Sequence, residues 1–245
     1  MDSSSSNPTK LEYYDDMCSL PIQLVHLKQA EDGRRAVILE STIFHPQGGG
    51  QPSDTGFITF PNSNSKFVVQ DVRSKDGIVF HYGSLENEDS NSNSNEELLI
   101  SEIQQGIQVS LHVNEPRRTL NSRLHSAGHL LDVCVLNVGL LTHLEPNKGY
   151  HFPDGPFVEY KGTIPSDLQT KQKELELEAN ALISRGGKIS AALVPYEEAL
   201  KLCGGCLPDY IPKGSTPRII KIGDNPGCPC GGTHVHDISE IISMK

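Results

Sequence analysis

Tryptophan is absent from this chain of 245 residues, and aromatic residues make up only 6% of it. Long apolar runs are missing too. None approaches the roughly 18 residues a membrane-crossing helix needs, so no span is expected. The opening MDSSSSNPTK has an early acid, no apolar stretch and little arginine, so it reads as neither a secretory leader nor a transit peptide. Cysteines number six. Four of them, Cys203, Cys206, Cys228 and Cys230, lie among Gly and Pro near the C-terminus. In so long a chain this suits reduced thiols and metal ligation better than a disulfide framework. Basic residues are scarce, 21 against 31 acidic ones for a net charge of −10. Bulk charge therefore cannot hold a nucleic acid, and any RNA partner needs a local patch.

What is present suits a polar globular protein: 36% of residues are apolar, and the length allows one large domain or two modest ones. Residues 1–11 read as a disordered tail. From 12 to 113, short apolar runs alternate with turn residues. Ile22–Leu27, Ala36–Leu39, Phe67–Val72, Ile78–Tyr82 and Ile107–Val113 are strand candidates, which suggests a compact barrel or sandwich. The Asn/Ser/Glu-rich stretch 86–97 reads as a solvated insertion. Asn114-Glu115-Pro116 then opens a helix with a capping residue, a first-turn acid and a tolerated proline. Further helices are expected over Ser166–Arg185 and Tyr196–Cys203, and strands at Gly149–Phe152, Phe157–Gly162, Lys188–Val194 and Arg218–Ile222. An all-β first half followed by mixed elements implies an α+β chain of two units, 12–113 and 114–245.

The chemistry centres on Arg117–Val138. At 3.6 residues per turn, His125 and His129 stand on one helix face about a turn apart, where both imidazoles can meet one ion. Cys230-Gly-Gly-Thr-His234 supplies a thiolate and a second kind of imidazole, and its glycines allow the tight backbone turn that aims both inward. This donor set suits zinc. Each pair alone has a plain alternative: solvated imidazoles on a polar face, or a small buried thiol. A four-cysteine knuckle from Cys203, Cys206, Cys228 and Cys230 is the rival, weakened by the single residue between its second pair. A metalloprotease is excluded because Ser126, not Glu, follows His125.

Arg117-Arg118, Arg123-Leu-His125-Ser-Ala-Gly-His129 and Cys230-Gly-Gly-Thr-His234 resemble the two metal motifs of the alanyl- and threonyl-tRNA synthetase editing domains. Thr42-Ile-Phe-His-Pro-Gln-Gly48-Gly49-Gly50-Gln51-Pro52 resembles the glycine-rich motif of the alanyl branch, and Asn180 stands where that family has an asparagine. The chain as a whole resembles a freestanding alanyl-tRNA editing protein of the AlaX type. Phe157-Val-Glu159-Tyr160 departs mildly from the family's Asp-Phe pair.

The resemblance implies a small N-terminal β-barrel carrying the glycine-rich motif, then a two-layer α/β editing domain with one zinc ion. It implies a cytoplasmic, ATP-independent aminoacyl-tRNA deacylase, a carboxylic ester hydrolase serving translation fidelity. The substrate would be tRNA(Ala) mischarged chiefly with serine, glycine being a second candidate, and no obligate protein partner is called for. His125, His129, Cys230 and His234 are then the metal candidates. Four protein ligands are one too many for a simple catalytic zinc, so either one is a near neighbour or the coordination expands. Thr42 would read the serine hydroxyl and Gln51 position substrate or water, the two catalytic candidates. Gly48, Gly49 and Gly50 would let backbone approach substrate, and Arg117, Arg118 and Arg123 would meet phosphate. The alternative is a zinc-stabilised RNA- or protein-binding module without turnover.

Overall fold

The computed structural model describes residues 7–15, 19–29, 35–61, 65–86, 107–164 and 167–245. Their contacts divide the chain into two units: Met1–Gln47 with Pro52–Arg118, and Gly48–Gln51 with Thr119–Lys245. The sequence reading placed the whole glycine-rich motif in the first unit; Gly48–Gln51 make their contacts in the second.

The first unit contains strands β1 (Lys10–Leu11), β2 (Ser19–Gln29), β3 (Arg35–Leu39), β4 (Ser41–Thr42), β5 (Gly56–Thr59), β6 (Lys66–Lys75), β7 (Ile78–Glu86) and β8 (Gln108–Val113). Six of them form a curled antiparallel sheet in the order β2-β3-β7-β6-β5-β8, which closes because β8 also pairs with β2. Side chains alternate across it, so Phe67 and Val69 of β6, Ile58 of β5 and Leu111 of β8 point inward and are buried. A register shift between Val69 and Asp71 restores the phase, so that Val72, three positions on from Val69, also faces the core. Asp76 and Gly77, both at positive φ, connect β6 to β7 in a two-residue hairpin turn.

Two expectations are corrected here. The expected tail of residues 1–11 is ordered in its last part: Lys10–Leu11 pair in parallel with Ser41–Thr42, and the buried Thr9 hydroxyl accepts the Val79 N–H. Strand β5 escaped notice because its four residues follow the glycine-rich motif and carry too short an alternation. The low-complexity stretch lies almost wholly outside the described residues.

Helix α1 (Glu115–Asn137) begins where Asn114 caps it, its side-chain oxygen accepting the Arg117 N–H at 3.1 Å. In the second unit α1 continues alongside α2 (Leu168–Arg185), which Asp167 caps and Gly186, at φ 73°, terminates. A hairpin of β9 (Leu144–Tyr150) and β10 (Phe157–Gly162) precedes α2. After it come β11 (Ile189–Leu193), α3 (Tyr196–Leu202), β12 (Arg218–Ile222) and β13 (Cys228–Pro229), the three strands forming one antiparallel sheet. Leu130, Val133 and Cys134 of α1 meet Ala179, Leu182 and Ile183 of α2, Ile189 and Ile222 of the sheet, and Val235, Ile238 and Ile241 beyond it. Asn180 ties the last residues to α2: its amide donates to the Met244 carbonyl and accepts the Met244 N–H. Among the described residues no helix is long and apolar enough to cross a membrane.

Candidate metal centre

The polar face of α1 delivers His125 and His129, and the turn after β13 delivers Cys230 and His234. One ligand atom from each lies within 4.8 Å of all the others. Cys230 Sγ is 3.4 Å from His125 Nε2 and 3.5 Å from His234 Nε2. A tetrahedral zinc with ordinary Zn–S and Zn–N bonds has ligand–ligand edges of roughly 3.3–3.6 Å, which the two Cys230 separations match. His129 Nε2 is buried with no hydrogen-bond partner, a cost that an ion would remove. Burial pushes the His129 pKa down to about 4, with the His151 charge adding to it, which keeps the ring neutral and able to ligate. Burial raises the Cys230 thiol above its usual range, against the Gly232 N–H and Arg218, which favour the thiolate. A bound cation would do the same more strongly.

Gln51 fixes the tautomer of His125. Its Oε1 accepts from His125 Nδ1 at 2.7 Å and from the Thr233 N–H at 3.0 Å, while its Nε2 donates to the Thr233 hydroxyl at 2.9 Å. An amide oxygen can only accept here, so Nδ1 carries the proton and Nε2 turns its lone pair toward Cys230. Ser122 shares a hydrogen bond with the Thr233 hydroxyl at 2.7 Å and backs up the arrangement. The Gln51 side chain is fully buried and both its amide atoms have protein partners, through which it orients His125.

Glycines make the crowding possible. Gly48 and Gln51 close a tight turn through two backbone hydrogen bonds, with Gly49 and Gly50 at φ 55° and 79°. A Cβ on Gly50 would collide with the Gly149 carbonyl, and one on Gly232 with the His125 ring. The Gly50 carbonyl accepts the His151 N–H at 2.9 Å. His151, which the sequence reading missed, is buried and stacks on His125 with ring centroids 4.5 Å apart. Its only signal was a histidine at the end of a predicted strand, Gly149–Phe152.

The remaining candidates sit elsewhere. Thr42 is fully buried in the first unit, its hydroxyl 2.7 Å from His81 Nε2. His81 Nδ1 faces the Val37 carbonyl at 3.0 Å, so that nitrogen bears the proton and Nε2 accepts from Thr42. The Phe44 N–H donates to the same hydroxyl at 3.0 Å, leaving Thr42 one lone pair and no free proton. Arg118, expected to meet phosphate, is committed to partners within the first unit. It is buried, its Nε lies 3.1 and 3.0 Å from the two oxygens of the fully buried Asp54, and it also donates to the Ile43 carbonyl. Arg117 donates through Nε to the Ser53 carbonyl at 3.1 Å and is only half-buried. Arg123 is half-buried in the second unit, its Nε without a partner. Cys203, Cys206 and Cys228 lie outside the one metal-capable group found among the described residues, so no four-cysteine knuckle forms there. Cys134 is a core residue whose thiol burial pushes up to about 12.

A family model described as tRNA synthetases class II (A) matches residues 6–102. The chain is 30% identical over 95% of its length to the alanyl-tRNA editing protein AlaX-L of Pyrococcus horikoshii, covering 52% of that protein. It is 30% identical over 92% of its length to the alanine–tRNA ligase of Methanosarcina barkeri, and 28% over 88% to that of Leptospira borgpetersenii, covering 22% and 21% of them. The chain thus spans about half of one relative and about a fifth of the others. The chain is similar to an alanyl-tRNA editing protein and to a part of alanine–tRNA ligases.

Proposed function

We propose that the chain is a zinc-dependent deacylase that removes serine, and less readily glycine, from mischarged tRNA(Ala) in the cytoplasm. The observation that carries this reading is the four-donor cluster, with Gln51 setting the tautomer of His125, in a chain similar to an alanyl-tRNA editing protein. The closed, curled sheet is then the small N-terminal β-barrel of such a protein, and the second unit its two-layer editing domain.

His125, His129, Cys230 and His234 would hold the zinc, three as ligands with an open position or all four in an expanded shell. Bound zinc would supply polarisation of the ester carbonyl or a water of lowered pKa. The chain's own contribution is positional. Gln51, Thr233 and Ser122 hold the His125 ring, His151 packs against it, and the Gly48–Gly50 turn brings bare backbone close. Thr42, with its proton committed to His81, offers only an acceptor. It would take a hydrogen bond from the serine hydroxyl, which an alanine side chain lacks; a site built around a hydroxyl rejects the analogue without it. Arg117 and Arg123 would meet phosphate, easing the net charge of −10.

The test is release of labelled amino acid from tRNA(Ala) carrying serine, glycine or alanine. Serine release with alanine spared supports the reading. Equal release of both, or none by zinc-loaded protein, contradicts it and leaves a zinc-stabilised binding module.

A further inference from the structure

A cavity of about 950 Å³ lies in the first unit, over the outer face of β5, β6 and β8 and the start of α1. Its floor is the cross-strand row Val68, Phe57, His112, set side by side by the pairing of β5 with both neighbours. These three point outward, since the alternating Phe67, Ile58 and Leu111 fill the core and are fully buried. Phe57 nevertheless remains 38% exposed. The His112 ring lies nearly parallel to it, centroids 4.6 Å apart and planes 17° from parallel. Lys66 Nζ stands 5.9 Å from the Phe57 centroid. Gln70, Asn114 and Glu115 complete the wall with neutral and acidic hydrogen-bonding groups.

A cross-strand aromatic pair helps hold a sheet, by about 0.2–1 kcal/mol. That accounts for the stack but not for the cavity above it or the polar wall around it. The charges decide what class of ligand fits. Lys66 is already paired with Glu86 at 3.3 Å, and Glu115 adds a further negative group, so the wall does not favour a bare phosphate. A flat, neutral, hydrogen-bonding ring suits it: an exposed aromatic face to stack on, a carboxylate and amides for its edge. We propose that this cavity is a slot for an unpaired nucleobase. Building on the reading of the chain as an RNA-acting protein, the base belongs to a single-stranded part of the RNA substrate. Unpaired bases are held by stacking on aromatic side chains, commonly beside a basic groove; here the aromatic face is present and the wall is not basic, so stacking and edge hydrogen bonds carry the contact.

The absence of tryptophan gives a clean test. A Phe57→Trp protein carries a single tryptophan, on the floor of the slot, whose emission is read apart from that of the tyrosines. It is titrated with a short single-stranded oligoribonucleotide, the same strand in a duplex, and the free nucleoside. The expected result is saturable quenching by the single strand, little changed by moderate salt, and none by the duplex. Nucleoside quenching at the same concentrations would assign the slot to free nucleosides rather than to a strand. Quenching by none of the three, or quenching that collapses steeply with salt as phosphate contacts do, overturns the proposal. Phe57→Leu, checked for folding by its thermal melt, should weaken single-strand binding roughly 5- to 100-fold by filter retention; unchanged binding contradicts the slot. Quenching requires no turnover. A protein that quenches but releases no serine contradicts the deacylase reading alone, and one that releases serine without quenching contradicts the slot alone.

Discussion

Two histidines in this chain are held by the same device and left in opposite states. In each, Nδ1 is pinned by a carbonyl-type acceptor: Val37 for His81, the Gln51 amide for His125. His81 Nε2 is then consumed by the Thr42 hydroxyl, and the ring is fully buried within the curled sheet. His125 Nε2 is turned toward a thiol and two further imidazoles, and His129 beside it has a buried nitrogen with no partner. The first arrangement is complete within the protein. The second brings four donors together that an ion from outside could complete.

The comparison can be broken most severely at the cluster. His125→Ala or Cys230→Ser should lower serine release by about a thousandfold or more, since several kcal/mol of charge stabilisation go with the ion. Far-UV circular dichroism should stay close to wild type; loss of fold along with activity would mean a structural ion.

Next in size is Arg118→Ala, which strands the fully buried Asp54 without its partner. A loss of about 3–5 kcal/mol in urea denaturation is expected. The salt dependence of tRNA binding should stay as it was, because Arg118 already has its carboxylate.

His81 gives the contrast a pH signature. Burial depresses its pKa to about 4 from 6.5, the backbone partner opposing this only in part. A histidine whose folded value is lowered contributes stability above its unfolded pKa and loses it as pH falls toward the folded one. Between pH 6.5 and 4 this group should therefore withdraw up to about 3 kcal/mol. Denaturation series at pH 7 and 4.5 on wild type and His81→Phe should show a steeper acid loss in wild type. Parallel losses would contradict the assignment.

The smallest expected effect is at Gln51. Gln51→Ala removes only the group that orients His125, so metal affinity should fall by about 10- to 100-fold while zinc in excess restores activity. A Gln51→Ala protein that binds zinc normally yet releases no serine would return Gln51 to the substrate.

Much of this was legible in the residues. The α1 start was written in Asn114-Glu115-Pro116, and the spacing of His125 and His129 put both on the face where they are found. Cys230 and His234 were readable because two glycines between ligand types have few other uses. What could not be read was long-range pairing. Arg117-Arg118 looks like a basic patch until the fold places Asp54 against Arg118, 64 positions away in sequence. Gln51 looks free until Thr233, 182 positions away, occupies its amide. His151 lacked a partner at helical spacing and so carried only the weak signal of a histidine in a strand candidate, although the fold stacks it on His125. Local spacing reports which side chains share a face; it does not report which of them the fold will satisfy.

The central claim is that one ion is held by the cluster of His125, His129, Cys230 and His234. The direct measurement is metal content by mass spectrometry with the absorption spectrum of the cobalt-substituted protein, for wild type, Cys230→Ser and Cys203→Ser. The account expects one ion per chain and a thiolate-to-cobalt band in wild type and Cys203→Ser, with the band lost in Cys230→Ser. A band that survives Cys230→Ser but disappears in Cys203→Ser would move the ion to the other cysteines and contradict the account.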